Sequence, residues 1–169
     1  MAAAPPAPPP GDPVEIGKRL LAENQPELAL SAFNRGIASA SSAEARAVAL
    51  TGAGVALLKL GRGGEARRLL EAALTLDPEL VTAHNALGVA HHDARRHAAA
   101  AASFRRASEL SGGDDPAIRA NLGMAEAALA DDAANVPKLD EFDYDVIQYG
   151  HGVYRLTPRA ARPAKESRP

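Results

Sequence analysis

The chain has 169 residues, 19 basic and 21 acidic side chains, a net charge of −2 and no cysteine. Near-neutrality removes any global pull toward nucleic acid, and the missing thiol excludes disulfides, thiolate metal centres, cysteine nucleophiles and lipid-modified cysteine. Hydrophobic residues make up 46% but aromatics only 4%, and an apolar count so rich in alanine suits closely packed helices better than a sheet.

Residues 1–13, MAAAPPAPPPGDP, are proline- and alanine-rich. They read as a disordered or polyproline leader, with no basic n-region or apolar h-region of a secretory signal. No stretch of the chain approaches the ~18 continuous apolar residues of a membrane helix. The expectation is a soluble cytoplasmic protein that reaches a membrane only through a partner.

Residues 14–43 read as a degenerate pair of helices. Pro26 opens the second, where its missing N–H costs nothing. Ser42 is not followed by the glutamate or glutamine of a capping box, so the start of the next helix is left open by a few residues. Residues 47–80 and 81–114 then read as one 34-residue unit written twice. Gly54 and Gly88 coincide at position 8, Ala66 and Ala100 at 20, Leu70 and Phe104 at 24, and Ala73 and Ala107 at 27. A fixed period of this length, with small residues at set slots, marks a repeat architecture. Helices are expected over 44–60 and 64–76, then 80–93 and 97–110, broken by Gly61-Arg62-Gly63-Gly64, Asp77-Pro78 and Ser111-Gly112-Gly113. Pro116 opens a further helix over 116–130, read as a cap on the apolar end of the stack. Gly54 and Gly88 are expected to face Ala66 and Ala100, so that the backbones approach closely. Phe33, Leu70 and Phe104 are expected to fill the gaps between units.

After Ala130 the pattern changes. Residues 131–143 are acidic and loop-like. YDVIQY-GHG-VYRLTP carries β-branched and aromatic residues on both sides of a glycine-bearing turn, a hairpin signal. Residues 159–169 read as a disordered basic tail. The organisation is therefore a leader (1–13), a repeat domain (14–130), a linker with a short hairpin (131–158) and a tail.

No chemistry-bearing constellation emerges. His84 and His91 share a helical face but lie about 10 Å apart along the axis, too far to share a metal, and His92 and His97 complete no ligand set. Asp140-Glu141-Phe142-Asp143-Tyr144-Asp145 lacks the glycine and terminal glutamate of a calcium loop. Gly61-Arg62-Gly63-Gly64 has no strand before it and no Lys-Ser/Thr after it, so it is a turn and not a phosphate loop. Arg155, Arg159, Arg162, Lys165 and Arg168 lack interleaved aromatics and read as a solubilising tail. No nucleophile–base pair can be argued, so no enzyme, metal or cofactor is expected.

The units resemble tetratricopeptide repeats. The resemblance implies an all-α, right-handed solenoid of about three helix-turn-helix repeats with a capping helix, and a concave face built from the first helix of each repeat. By position, that face would present Val48, Thr51, Val55, Leu58 and Lys59, then Thr82, Asn85, Val89, His92 and Asp93, then Ala120 and Met124. This mostly apolar surface suits an amphipathic helix or an extended apolar peptide, with the C-terminal hairpin a rival for the same space. PELALSAFNRGIAS, LTGAGVALLKLGRGGEARRLLEAALTLDP and AHNALGVAHHDARRHAAAAASFRRASELSGGDDPAIRANLGMAEAAL, with DYDVIQYGHGVYRLTP, are similar to the TadD-type repeat protein of bacterial tight-adherence (Tad/Flp) pilus systems. That resemblance spans about 14–158 and implies a non-catalytic role in assembling or secreting a type IV-like pilus. The chain departs from those family members that are outer-membrane lipoproteins, having neither signal nor cysteine. A chaperone for secreted translocator proteins and a generic cytoplasmic adaptor are the alternatives. Adaptors of Hsp70 and Hsp90 resemble one another in a clamp of lysine, arginine and asparagine at positions 2 and 6. Here those positions hold Val48, Gly52, Thr82, Ala86, Ala117 and Asn121, of which only Asn121 fits.

Overall fold

The computed structural model describes residues 11–134 and two strands, 144–149 and 153–158. The chain divides between Ala130 and Asp131 into two compact units. The first holds α1 (Pro13–Ala22), α2 (Pro26–Ser39), α3 (Ala43–Lys59), α4 (Gly63–Leu76), α5 (Val81–Asp93), α6 (His97–Leu110) and most of α7 (Pro116–Ala134). In the second, β1 (Tyr144–Tyr149) and β2 (Val153–Pro158) pair antiparallel, with Tyr144 opposite Pro158 and Tyr149 opposite Val153. The intervening 150–152 lie outside the described residues, as do the leader 1–10 and the tail 159–169.

Side chains set several helix starts. The Asp12 carboxylate accepts from the Val14 amide at 2.9 Å, and Pro13 occupies the first turn of α1. Pro13 therefore opens the stack and does not close the leader. Ser42 Oγ accepts from the Ala45 amide at 3.1 Å; a plain serine cap suffices where the reciprocal glutamate of a capping box is missing. Asp115 takes the Ala117 amide at 2.8 Å and the Ile118 amide at 3.2 Å.

The three turns inside the repeats share one geometry. Asn24, Gly61 and Arg95 adopt left-handed φ values of 56°, 71° and 56°. Each following amide reaches back past the helix end: Gln25 to Leu20 O at 2.8 Å, Arg62 to Leu57 O at 2.9 Å and Arg96 to His91 O at 2.9 Å. This is the Schellman closure, which satisfies otherwise orphaned carbonyls and turns the chain back on itself. Only one of the three positions carries the glycine that the conformation favours.

α1, α3 and α5 each pack on their own second helix, α2 and α4 on the next first helix, and α6 meets α7 through Phe104, Ala125 and the Arg105–Glu126 pair. In addition α3 touches both α1 and α5, whereas no two of α2, α4 and α6 meet among the described residues. The stack is thus tighter along the first helices than along the second, so it bends and places α1, α3 and α5 on the inner side.

The interior is knob and socket. Phe33 of α2 is 1% exposed and lies between two glycines. A Cβ on Gly17 of its own repeat would come 2.8 Å from the ring, and one on Gly52 of the next repeat would come closer still. Leu70 fills the same place against Gly54, at 2.8 Å, and Phe104 against Gly88, at 2.5 Å. The position-8 glycines therefore lie closest to the large residue at position 24, a contact the sequence reading did not assign. Ala66 and Ala100 are fully buried beside them. Glycine in mid-helix costs about 1 kcal/mol against alanine; here it makes room for the largest side chains of the core.

The capping helix also runs further than expected. α7 continues to Ala134, because no glycine or proline follows Ala130 until Pro137 and the Asp131-Asp132 pair is exposed.

Candidate functional site

Six of the expected groove residues meet around one pocket. Val55, Leu58 and Lys59 of α3 and Thr82, Asn85 and Val89 of α5 line a cavity of about 380 Å³, with Ala86 beneath them. Val55, Leu58 and Val89 are half-buried while Lys59 and Thr82 are exposed. The walls are therefore aliphatic and the rim polar. Such a volume lies at the small end of the range of ligand pockets, about 300–1,000 Å³, and has room for side chains of a bound segment. Sequence reasoning missed Ala86 as a lining residue. Its signal was available: it stands one place before the Leu87-Gly88 pair, between Asn85 and Val89, and a small residue there lets the pocket reach the backbone.

The remaining expected residues divide. Thr51 is 5% exposed, and its hydroxyl donates to the Ala47 carbonyl at 2.8 Å. It offers nothing to a ligand. The reason is its place on the central helix, with α1 on one side and α5 on the other. Val48 faces a different hollow, of about 370 Å³, shared with Val14, Lys18 and Ser41. Asp93 lines a third, of about 380 Å³, at the turn end of α3 and α5 with Arg67 and Arg96. Leu58 borders both this hollow and the groove pocket. Ala120 and Met124 are exposed on α7.

Asn85 Oδ1 accepts from Asn121 Nδ2 at 3.0 Å. This bond ties α5 to α7 across the inner side and engages the one side chain that matched the carboxylate clamp.

His91, His92 and His97 sit at the turn end of the third repeat, and His84 at the opposite end of α5. His92 and His97 meet edge to face with ring centroids 5.2 Å apart. His84 Nε2 lies 2.9 Å from the Pro78 carbonyl. Burial, and then the cations Arg96 and Arg67, hold the His91 imidazole below its ordinary pKa, with Glu71 opposing. Among the described residues no three His, Cys, Asp or Glu side chains gather closely enough to hold a metal. No described helix is long and apolar enough to cross a membrane.

Residues 51–115 match the tetratricopeptide repeat family. Solved repeat domains superpose over most of the chain at low identity. The first such domain of human RPAP3 is 18% identical, with a TM-score of 0.66 over 73% of this chain and 94% of that one. The Sgt2 domain from Aspergillus fumigatus is 20% identical, with a TM-score of 0.65 over 83% and 89%. The second domain of human RPAP3, solved with the Hsp70 peptide SGPTIEEVD, is 22% identical, with a TM-score of 0.60 over 68% and 92%. These likenesses establish the fold, a tetratricopeptide solenoid. No curated protein matches the chain.

Proposed function

We propose that this protein is a non-catalytic scaffold that binds a peptide or helix of another protein on the inner face of its solenoid. The carrying observation is the pocket between α3 and α5, with walls of Val55, Leu58 and Val89 and a rim of Lys59, Thr82 and Asn85. Domains of the same fold have been solved with the acidic-ended peptides SGPTIEEVD and SRMEEVD. This groove is of a different chemistry. Only one cation, Lys59, borders the pocket, and Asn121 is engaged by Asn85. An apolar segment is the better ligand, since each buried CH₂ gains about 0.8 kcal/mol and no cation cluster awaits a terminal carboxylate.

The test is selection of peptides from a displayed random library, followed by titration of the selected sequences into the full chain. Val55→Asp with Val89→Asp is expected to abolish binding while far-ultraviolet circular dichroism stays helical. Undiminished binding by the folded double variant would place the site elsewhere.

The finer reading is a role in assembly or secretion of a Tad/Flp-type pilus, through contact with a pilus component or secreted subunit. It rests on the resemblance of 14–158 to the TadD-type protein. Deleting the gene should remove surface pili, and the Val55→Asp, Val89→Asp variant should fail to restore them. Normal piliation in the deletion strain sinks this reading and leaves the translocator chaperone or a general adaptor. Neighbouring genes for a secretin, a secretion ATPase and a small prepilin favour the pilus; translocator and needle genes favour the chaperone.

A further inference from the structure

The last helix of the stack repeats half of an interface whose other half is missing among the described residues. In α1, α3 and α5 the glycine at position 8 is covered by a large side chain from the following helix: Phe33 on Gly17, Leu70 on Gly54 and Phe104 on Gly88. Gly123 stands at the same position of α7, directly after Leu122 as Gly88 follows Leu87. Nothing described lies within 4 Å of the Cβ it lacks. The side of α7 that receives the previous repeat is complete: Ile118 and Ala125 are buried, Leu122 packs beside Phe104 and Ala125, and Arg105 of α6 pairs with Glu126 at 2.8 Å. The side around Gly123 is bare. Ala120 and Ala127 are exposed, and Met124 is 56% exposed.

We infer that this bare face of α7 is a second docking surface, and that its occupant is a partner helix carrying a large apolar residue with small residues four before and three after it. The three filled sockets of the same chain define that occupant. Their knobs read Ala29-x-x-x-Phe33-x-x-Gly36, Ala66-x-x-x-Leu70-x-x-Ala73 and Ala100-x-x-x-Phe104-x-x-Ala107. Each is seated antiparallel on a first helix, and the interface they make continues geometrically onto α7. Residues 135–169 contain no such pattern, and the occupant inferred is a helix of another protein. The surface is separate from the α3–α5 pocket, and the proposal does not depend on it. Docking there would extend the solenoid by one helix.

The probe is this protein's own sixth helix as a peptide, residues 97–110 (HAAAAASFRRASEL), held helical by a staple on its exposed side and titrated into the full chain by fluorescence anisotropy. The wild-type chain should bind it. Phe104→Ala in the peptide should weaken binding by at least about tenfold. Gly123→Ala in the protein should weaken it equally, since a Cβ at the equivalent Gly88 would come 2.5 Å from Phe104. The same Gly123→Ala chain should melt no lower than wild type, which separates a blocked socket from a damaged fold. Val55→Asp with Val89→Asp should leave this binding unchanged, so the two surfaces fail independently. Absence of peptide binding, or equal binding by Gly123→Ala, overturns the proposal. So does self-association of the chain in sedimentation that Gly123→Ala abolishes, because the occupant is then a second copy.

Discussion

Replacing Gly52 by alanine should destabilise the stack, although alanine is the better helix residue. A Cβ at 52 would come within 2.5 Å of Phe33 Cδ1 and Cζ. The ring cannot retreat, because on its other side it lies so near Gly17 that a Cβ there would come 2.8–2.9 Å from it, and Phe33 is 1% exposed. Inserting a methyl into such a site costs about 1–3 kcal/mol, and the gain in helix propensity returns about 1 kcal/mol. With the ring held on both sides the insertion cost falls in the upper half of that range, about 2–3 kcal/mol, so the expected net loss is about 1–2 kcal/mol and Tm falls by roughly 3–10 °C for a unit of this size. Thermal and urea melts followed at 222 nm measure it directly. The chain also contains its own rescue. Where the next repeat carries Ala86 in place of glycine, the preceding knob is Leu70 and not phenylalanine. Phe33→Leu should therefore recover part of the loss in the Gly52→Ala background while being destabilising by itself, a coupling of about 1 kcal/mol. A Gly52→Ala chain as stable as wild type, or additive effects in the double variant, would refute the knob-and-socket account of the core.

Two further outcomes follow from the turns and the histidines. Arg95 holds the left-handed conformation that Gly61 holds in the preceding repeat, so Arg95→Gly should raise stability by about 0.5–1 kcal/mol in urea melts; destabilisation would mean the Arg95 side chain contributes more than its strained backbone costs. His91 titrates below its ordinary 6.5 in the fold. The unfolded ring therefore takes up its proton first as pH falls through that value. Stability is unaffected by this group above pH 6.5 and is lost from there downward until the folded ring titrates as well. Urea midpoints between about pH 7 and 5.5 should fall in the wild type and flatten in His91→Gln; identical slopes would show that His91 is not the group responsible.

The sequence alone determined the repeat. Period, helix spans and turns were legible because glycine, alanine and proline recur at fixed slots, and these act locally: Pro26 and Pro116 open helices and Gly61 closes one. Most of the groove pocket was legible for the same reason, since residues at fixed positions of successive first helices must line one side of the stack. The tertiary structure decided what lies opposite each slot. That Gly54 lies under Leu70, that Phe33 is held by glycines of two different repeats, and that Thr51 is sealed while Asn85 reaches Asn121 all depend on how closely neighbouring helices approach. Interhelical distance is set by many side chains packing at once, so no single position in the chain carries it. The open socket at Gly123 belongs to the same class. The residue reads identically to Gly54 and Gly88 in the sequence, and only the presence or absence of a knob above it distinguishes a filled core from a surface ready to receive one.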